Sequence, residues 1–365
     1  MELHELLALS VEQDASDVHI KAGSPPYLRV DGVLMETDFP KLSATEVVDI
    51  AFALMDEKQA RAFHETSEAD FAYGVAGLGR FRANIFKQRG TVGVSIRRIL
   101  TTRVPSFKEL GLPPVFERLS DEAKGLLLVT GPTGSGKTTT LAAMVDWLND
   151  HKRLNIITIE DPIEILHTDR KCLIHQREVG SDTESYTEAL RHITRQDPDV
   201  ILVGEMRDVE TVTAAINIAM TGHLVLSTFH TQDTTETINR LIDFFPAGMQ
   251  KQVRIMLTSS LAGVTSQMLL PRADGSGRIP AVEVMVMNGR LAECLLNEDP
   301  TAVMREVIAD GEFYGMQTFN QSLASLYADG LVDFQTAFKA SNQPHDFILM
   351  TKQMGLPVEE TLAIR

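Results

Sequence analysis

The sequence predicts an α/β protein whose main domain holds a parallel sheet and whose smaller N-terminal domain is α+β. Three observations support this fold class. Strands and helices alternate beyond residue 115, a glycine-rich loop separates the first strand of that series from its helix, and glycines punctuate short strands in the first hundred residues. Alternation of this kind is typical of parallel sheets, because a pair of parallel strands needs a crossover connection that is usually a helix.

Length, charge and composition limit the class of protein. A chain of 365 residues with 44% hydrophobic residues is long enough for two domains with substantial cores. The formal net charge of -16 disfavours a general nucleic-acid binder, which would present a basic surface. No apolar run approaches a membrane span, the start lacks the basic region of a signal peptide, and the two cysteines suit a reducing compartment. We therefore expect a cytoplasmic protein with no transmembrane segment and no nucleic-acid partner.

The N-terminal domain is predicted over residues 1–100. Apolar residues at helical spacing predict an amphipathic helix over 1–11, and a capping box that starts at Ser43 opens a second helix. Asp31-Gly32 is a two-residue hairpin signal. A further helix is predicted at 58–64, and strands are predicted at 18–21, 27–30, 33–35, 71–75, 80–86 and 92–99.

A linker and two further regions are predicted after this domain. Prolines make 101–114 a linker, and the core follows over 115–288. Its strands are predicted at 126–129, 156–159, 200–203 and 224–227, and its helices at 139–151, 186–193 and 209–220. Beyond Thr228 the pattern becomes helical, at 234–244 and 248–261, with a turn at 274–277. Residues 289–365 are predicted to form a C-terminal helical subdomain that includes a helix at 318–327.

The loop after the first core strand has the composition of a phosphate-binding loop. It consists of Gly131, Pro132, Thr133, Gly134, Ser135, Gly136, Lys137 and Thr138, and Thr139 opens the predicted helix. Glycines let successive backbone N–H groups surround phosphate oxygens, and the helix N-terminus adds partial positive charge. Lys137 would neutralise the β- and γ-phosphates, and the Thr138 hydroxyl would bind Mg²⁺. The sequence therefore predicts a nucleotide site.

Acidic residues follow two of the core strands at the point where each strand ends. Glu160, Asp161 and Glu164 follow the second strand, and Glu205 follows the third after a glycine. The C-terminal ends of parallel strands are where open α/β sheets bind ligands. Carboxylates there can hold Mg²⁺ through water and polarise an attacking water; the alternative for the first group is a solvent-exposed loop cap. An apolar strand that ends in an acid is the Walker B pattern.

Histidines bracket the fourth core strand, since His223 precedes it and His230 follows it. A lone histidine is usually structural. Two histidines beside a nucleotide site could instead sense the γ-phosphate or relay its state. We predict this role, with packing as the alternative.

One strand of the N-terminal domain carries a polar face. Because side chains alternate along a strand, Arg80, Arg82 and Asn84 share one face and the apolar residues between them take the other. Arg97 lies near the end of a later strand. Two interpretations stay open: a solvated polar face, or arginine fingers that reach a nucleotide bound elsewhere.

These segments together resemble the type IV pilus retraction ATPases (PilT/PilU type) of the secretion ATPase superfamily. The matching segments are the phosphate loop and residues 158–164, 204–208 and 221–231, which in that family are the Walker A, Asp-box, Walker B and His-box motifs. Residues 15–19, 29–32 and 315–319 also match, so the resemblance covers nearly the whole chain. One departure is that a short segment tied to retraction in the family is not recognisable around residues 289–293.

The resemblance implies an ATP-hydrolysing homohexameric ring that powers pilus retraction, with a PAS-like N-terminal domain and a RecA-like P-loop NTPase core in each subunit. It implies that Glu164 activates water, that Glu205 lies near Mg²⁺, and that the N-terminal domain presents Arg82 and Arg97 to ATP. It also implies a cytoplasmic protein that associates peripherally with a platform protein at the inner-membrane pilus base, and it allows a paralogous retraction ATPase as a second partner.

The expected site follows from these motifs. Lys137, Glu164, Glu205, Arg82, Arg97 and His230 are expected to be catalytic. The loop from Gly131 to Thr139, together with Glu160, Asp161 and His223, is expected to contact the nucleotide, and Thr138 and Glu205 are expected to hold Mg²⁺.

Three other functions are less consistent with the sequence. An assembly or secretion ATPase of the same superfamily typically carries a four-cysteine zinc site, which two cysteines cannot form. A RecA-like nucleic-acid motor would need a basic path interleaved with aromatic residues, against the acidic charge and the single Trp147. A non-catalytic nucleotide-binding scaffold is disfavoured by the presence of Lys137, Glu164 and Glu205.

Overall fold

The computed structural model describes residues 2–30, 32–99, 103–297 and 301–358, without the side chains of residues 301–302. The chain divides into two compact units, Met1–Arg103 with Pro162–Leu166, and Val104–Asp161 with His167–Arg365. The predicted hairpin residue Asp31 and residues 101–102 of the predicted linker lie outside the described residues.

The first unit contains an antiparallel sheet flanked in sequence by helices. Its helices are α1 (Leu3–Glu12), α2 (Ala44–Leu54) and α3 (Glu57–Thr66), and its strands are β1 (Asp17–Lys21), β2 (Tyr27–Val30), β3 (Val33–Glu36), β4 (Glu68–Val75), β5 (Gly79–Gln88) and β6 (Thr91–Ile99). Within the described residues the strand order is β3-β2-β1-β6-β5-β4. Helix α2 begins at the predicted capping box, in which the Ser43 hydroxyl accepts from the Glu46 N–H.

The alternation of side chains explains how this sheet packs. In β5, Phe81, Ala83 and Ile85 are buried in the core of the unit, while Arg82 and Asn84 are exposed. A sheet with one face on a core and one face in water requires this period of two. The sequence prediction for this strand is therefore confirmed.

The second unit contains the parallel sheet. Its strands are β7 (Gly125–Thr130), β8 (Asn155–Glu160), β9 (Leu173–Glu178), β10 (Val200–Val203), β11 (Leu224–Phe229), β12 (Leu261–Pro271) and β13 (Arg278–Val286). Within the described residues they lie in the order β13-β12-β7-β11-β10-β8-β9, and β13 runs antiparallel to the others.

Some helices of this unit connect its strands, and the others form its C-terminal region. They are α4 (Phe107–Leu110), α5 (Val115–Ser120), α6 (Lys137–His151), α7 (Tyr186–Ile193), α8 (Val209–Met220), α9 (Thr234–Asp243), α10 (Ala247–Ser260), α11 (Gly289–Leu296), α12 (Thr301–Ala309), α13 (Phe319–Ala328), α14 (Phe334–Ala340) and α15 (Pro344–Gln353). Short 3₁₀ turns lie at Thr194–Gln196 and Glu312–Tyr314. Helix α4 falls within the predicted linker, where a capping box at Ser106 opens it.

The centre of the parallel sheet is apolar on both faces. Every residue of β7, β10 and β11 is buried. Helices cover both faces of a parallel sheet, so its central strands need apolar side chains in both directions. This explains the continuous apolar runs from which the sequence predicts these strands, and the α/β fold class is confirmed.

The outer strands β9, β12 and β13 are not predicted by the sequence analysis. Strand β9 lies at the sheet edge and its residues are mostly exposed or half-buried, so it carries no apolar run. Strand β12 begins at Leu261, directly after the last residue of α10, so no turn residues separate the helix from the strand. The predicted turn at 274–277 is present and joins β12 to β13.

The C-terminal helices pack on β12 and β13, two of the strands that the sequence does not predict. Phe319 and Leu323 of α13, Phe334 of α14 and Phe347 of α15 form an apolar cluster with Ile279 of β13 and its neighbours. The separate status of a C-terminal subdomain stays a prediction. Among the helices that the structure describes, none is both long enough and apolar enough to cross a membrane.

Candidate nucleotide-binding site

The phosphate loop joins β7 to α6 at the C-terminal edge of the parallel sheet. Gly131, its first residue, has a φ of 142°, and a Cβ there would lie 2.2 Å from the carbonyl oxygen of Gln267. A side chain at this position would therefore clash with the backbone of β12. It would also disfavour the positive φ that the residue adopts. Gly136 also has a positive φ, of 91°, immediately before α6 begins. The glycines are needed to bring the loop against its neighbouring strand.

Lys137 is buried at the start of α6 and folds back over the loop. Its Nζ donates to the carbonyl oxygens of Gly131 at 2.8 Å and of Pro132 at 3.0 Å. The ammonium group therefore lies inside the turn of backbone that would surround a phosphate. Because a lysine ammonium is a compact charge on a flexible stem, it can exchange carbonyl partners for phosphate oxygens without moving the helix.

Gln267 of β12 supports the loop and is missed by the sequence analysis. Its Nε2 donates to the carbonyl oxygen of Ser135 at 2.7 Å, and its Oε1 accepts from Thr140 Oγ1 at 2.9 Å. The side chain is buried, so both ends of the amide need these partners. The residue could not be found because β12 is not predicted; the sequence signal would be a glutamine inside an apolar strand.

The hydroxyl groups of the loop differ in their surroundings. Ser135 Oγ is buried and, within the part of the chain that the structure describes, has no hydrogen-bond partner. Thr138 and Thr139 are half-buried in the first turn of α6. Pro132, Thr133 and Gly134 are exposed at the tip. A buried hydroxyl without a partner is costly, so a phosphate oxygen at this position would satisfy Ser135.

Glu205, just beyond β10, contacts an arginine and a histidine. Its Oε2 lies 2.7 Å from Arg207 Nη2 and its Oε1 lies 3.2 Å from His230 Nε2. Burial acts to raise the pKa of Glu205, but the hydrogen bond from Arg207 and the charge of His230 outweigh it, so this pKa is lowered. The structure therefore holds Glu205 as a carboxylate at the sheet edge.

His230 connects Glu205 to the phosphate loop. Its Nδ1 lies 3.5 Å from Lys137 Nζ, while its Nε2 faces the Glu205 carboxylate. Strand β11 delivers this histidine because it lies between β7 and β10 in the sheet. The structure thus brings together Lys137, His230 and Glu205, which the sequence analysis identifies separately.

The acidic residues after β8 have different environments. Glu160 is half-buried and accepts from Thr158 Oγ1 at 2.6 Å and from Gln176 Nε2 at 3.1 Å. Asp161 is exposed at the end of the second unit's first segment. Glu164 is also exposed, and its segment, Pro162–Leu166, is grouped with the first unit. Their roles toward a nucleotide stay predictions.

Tyr186 of α7 is a second residue that the sequence analysis misses. A Cβ at Gly204, between β10 and Glu205, would lie 2.9 Å from the Tyr186 hydroxyl oxygen. Burial raises the pKa of Tyr186, and the negative charge of Asp161 raises it further. The phenol therefore stays protonated beside the acidic residues, and the glycine leaves room for it.

His223 lies at the other end of the strand from His230. It precedes β11, and its Nδ1 lies 3.2 Å from both the Ile218 carbonyl oxygen and Thr221 Oγ1. Because β11 runs parallel to β7 with Phe229 opposite Thr130, the two histidines are separated by the length of the strand, about 20 Å. This geometry does not bring His223 together with the phosphate loop of its own chain. The contact of His223 with a nucleotide stays a prediction.

Arg82 and Arg97 have carboxylate partners within the first unit. Arg82 donates to both oxygens of Asp70, with Nε 2.9 Å and Nη2 2.6 Å from them. Arg97 Nε lies 2.8 Å from Asp17 Oδ1. The two side chains are partly exposed on the polar face of the sheet. Both predicted arginines are thus in ion pairs here, and their contact with a nucleotide stays a prediction.

Comparison with known proteins places this geometry in context. Residues 2–314 match the family described as Type II/IV secretion system protein. PilT, a type IV pilus retraction ATPase of Pseudomonas aeruginosa, is 46% identical over 347 residues, which are 95% of this chain and 100% of PilT. PilU, a type IV pilus ATPase of the same organism, is 40% identical over 352 residues, which are 96% of this chain and 92% of PilU.

A solved structure is similar over nearly the same extent. The crystal structure of the pilus retraction motor PilT with bound ADP has a TM-score of 0.86 and 44% sequence identity to this chain. The similarity covers 95% of this chain and 98% of that one. The likeness therefore includes both units and is not confined to the phosphate loop.

Proposed function

The chain belongs to the type II/IV secretion system protein family, and from this premise we propose that it is an ATP-hydrolysing motor that powers type IV pilus retraction. The observation that carries the proposal is that His230 contacts both Lys137 and Glu205 beside the phosphate loop. Its Nδ1 lies 3.5 Å from Lys137 Nζ, and its Nε2 lies 3.2 Å from Glu205 Oε1. Nearly full-length similarity to a retraction ATPase supports retraction as the output of this chemistry.

The residues of the chain would act on ATP in distinct ways. Lys137 exchanges the carbonyl oxygens of Gly131 and Pro132 for β- and γ-phosphate oxygens, and so neutralises charge that develops during phosphoryl transfer. His230 stands next to Lys137, where it can report whether a γ-phosphate is present. Glu164 is the proposed general base that orients the attacking water.

The residues present fit a Mg²⁺ ion as well as a nucleotide. The Thr138 hydroxyl and the ionised Glu205 carboxylate are hard oxygen ligands, which Mg²⁺ prefers, and Glu205 would bind through water. A bound Mg²⁺ neutralises charge on the phosphates. Glu205 keeps its carboxylate in place for this purpose through its contacts with Arg207 and His230.

A homohexameric ring is the assembly that suits these roles. Arg82 and Arg97 stand on the first unit, so they would have to be presented to a nucleotide by their own chain or by a neighbour. A closed ring provides a neighbour at every site. We include in the proposal a location at the cytoplasmic face of the pilus base, a platform protein of the inner membrane as docking partner, and a paralogous retraction ATPase as a second partner.

The proposal is tested by Lys137→Ala in the purified protein and in a strain that lacks the gene. We expect the variant to lose hydrolysis, since removal of this charge costs several kcal/mol of transition-state stabilisation, on the order of 10³-fold in rate or more. The wild-type gene should restore pilus retraction to the strain, and the variant should not.

Lys124→Ala is the matched control, because Lys124 is exposed and precedes β7 at the opposite end of the strand. It should hydrolyse ATP and support retraction normally. Wild-type hydrolysis by Lys137→Ala would contradict the site. We expect a deletion strain to keep its pili but to fail to retract them. A deletion strain without pili would contradict a retraction motor and favour an assembly motor.

A further inference from the structure

A buried carboxylate lies between the segment that carries His230 and the C-terminal helices. Glu283 is on β13 and is 7% exposed. Its Oε1 accepts from the backbone N of Thr234 at 2.8 Å and from Thr234 Oγ1 at 2.6 Å. Its Oε2 lies 3.3 Å from the backbone N of Phe319. One side chain therefore contacts the first residue of α9 and the first residue of α13.

The described partners of Glu283 all donate hydrogen bonds to it. Within the described part of the chain, its hydrogen bonds come from two N–H groups and one hydroxyl group. Both helices also direct the positive ends of their dipoles toward it. Burial raises the pKa of Glu283 above its usual value and the charge of Asp233 adds to this, while the hydrogen bonds from Thr234 and Phe319 offset it only in part. An amide in its place could accept on one side, but its NH₂ group would face a donor on the other.

The segment between β11 and α9, residues 230–233, is hydrogen-bonded to the first turns of α9. Thr231 Oγ1 lies 2.6 Å from Thr237 Oγ1, and the backbone N of Gln232 donates to Glu236 Oε2 at 2.7 Å. His230 is the first residue of this segment. A fixed N-terminus of α9 therefore fixes the backbone from which the His230 side chain reaches Lys137 and Glu205.

A second contact connects the same helix end to the C-terminal region. Arg305 of α12 lies 3.2 Å from Asp233, the N-cap residue of α9. This pair is partly exposed, with 44% of the Arg305 side chain accessible, so it is screened by water in a way that the Glu283 contacts are not. The buried contacts of Glu283 are therefore the stronger candidate for a fixed connection between α9 and the C-terminal helices.

We propose that Glu283 is a positioning residue that ties the His230 segment, residues 230–234, to the first turn of α13. It touches neither nucleotide nor reacting atoms. It holds the backbone at His230 so that the side chain stays within reach of Lys137 and Glu205. It also makes the position of His230 depend on the position of the C-terminal helices. The proposal rests on the proposed ATPase activity only for its kinetic readout, because the connection itself can be measured without nucleotide.

The test is Glu283→Gln in the full-length protein, with hydrogen exchange and steady-state kinetics as readouts. Without nucleotide, exchange in peptides that contain Thr234 and Phe319 should rise by about 10-fold, because the amide accepts more weakly on one side and presents its NH₂ group to a donor on the other. The kcat for ATP hydrolysis should fall by about 10- to 100-fold, the cost of a misplacement near 1 Å, while the KM for ATP changes little.

Thr234 supplies a second pair of variants that keeps the test decisive if Glu283→Gln folds poorly. Thr234→Val keeps the shape but removes the hydroxyl donor, and it should lower kcat in the same direction. Thr234→Ser keeps the donor and should restore most of it. The matched control is Asp333→Asn, because Asp333 contacts a backbone N and a hydroxyl of Thr336 in the same way but at the exposed start of α14.

Each outcome separates this proposal from the proposed function. Unchanged exchange at Phe319 in Glu283→Gln would overturn the connection, and unchanged kcat with altered exchange would overturn the positioning role. Equal losses in Asp333→Asn would show a general effect of helix capping and would also overturn it. Failure of the ATPase assignment would appear instead as activity in Lys137→Ala, with the exchange results unaffected.

Discussion

In the second unit the charged residues of the candidate site follow the ends of strands, whereas in the first unit the arginines and their carboxylates stand across the face of a sheet. Lys137, Glu205 and His230 follow β7, β10 and β11, and they meet beyond the last backbone hydrogen bonds of the sheet. Arg97, in contrast, lies opposite Asp17 on one side and opposite Arg82 on the other, in the middle of paired strands. The same kinds of charge are placed in two different ways.

The difference decides what each group is free to contact. Side chains at strand ends project into the space where α/β sheets bind ligands. Side chains on a sheet face have partners set by strand register, and the two opposed arginines would repel each other. Each has its own carboxylate, Asp17 for Arg97 and Asp70 for Arg82, which relieves that repulsion. A phosphate would compete with these carboxylates for the same arginines.

The largest effect is expected from two acids, Glu164 in the segment after β8 and Glu205 just beyond β10. Glu164→Gln should bind ATP but hydrolyse it about 10²- to 10⁴-fold more slowly, because it loses a general base and keeps the shape of the side chain. Glu205→Gln should instead raise the Mg²⁺ concentration needed for half-maximal rate, since the amide is a weaker ligand. Measurements of kcat and of Mg²⁺ dependence check both expectations.

The control for these acids is Glu188→Gln, at a half-buried position of α7, which should leave both quantities unchanged. A silent Glu164 change combined with a severe loss in Glu205→Gln would show that the two roles are reversed. It would also strengthen the comparison, because the catalytic acid would then be the one already held at the strand ends.

The sequence locates the strand-end residues because each of them follows a recognisable apolar run. The loop from Gly131 to Lys137 and the acid Glu205 are adjacent in sequence to the strands that position them. Gln267 and Glu283 are not predictable in this way, because they lie inside β12 and β13. Strand β12 begins without a turn after α10, so helical spacing continues into it and hides the change of structure.

The ion pairs of the first unit could not be predicted for a different reason. The period of two correctly places Arg82 on a polar face, but it does not identify the partner strand. Asp17 and Arg97 come together because β1 pairs with β6, across most of the length of this unit. Register between strands far apart in sequence depends on tertiary packing, and a local pattern carries no information about it.

A smaller effect is expected from the arginines, and it tests whether they leave their carboxylates. An exposed ion pair is worth about 0–1 kcal/mol, which a phosphate contact can outweigh. Arg82→Ala and Arg97→Ala should lower turnover by up to about 10³-fold if they act as fingers, while folding stays intact. Asp70→Asn, which weakens the ion pair with Arg82, should preserve turnover or raise it.

Mixtures of wild type and each arginine variant extend this test to the assembly. If the arginines act between neighbouring chains, added variant should reduce activity by more than its fraction. Activity that falls in strict proportion to the fraction of variant would argue against coupling between neighbours. Equal and small losses in Arg82→Ala and Asp70→Asn would mean that the pair has a structural role alone.

The smallest effect is expected from Asp17, and it concerns stability. Burial acts to raise the pKa of Asp17, but the hydrogen bonds from Arg97 and Ser16 outweigh it, so this pKa is lowered from 3.8. A lowered acid pKa stabilises the folded state above the unfolded pKa, and that stability is lost as pH falls through the folded value. Asp17→Asn should therefore reduce the free energy of unfolding by about 1 kcal/mol at pH 7, with a difference that shrinks below about pH 4.

Urea unfolding at pH 7 and pH 3.5, followed by hydrogen exchange in β1 and β6, measures this difference where it arises. Asp70→Asn is the comparison variant, because Asp70 is more exposed than Asp17, with 42% against 9% of the side chain accessible. Water screens the Asp70 pair more strongly, so its variant should lose less. Equal losses at both pH values would mean that Asp17 stabilises the sheet through packing and hydrogen bonding, and that its charge contributes little.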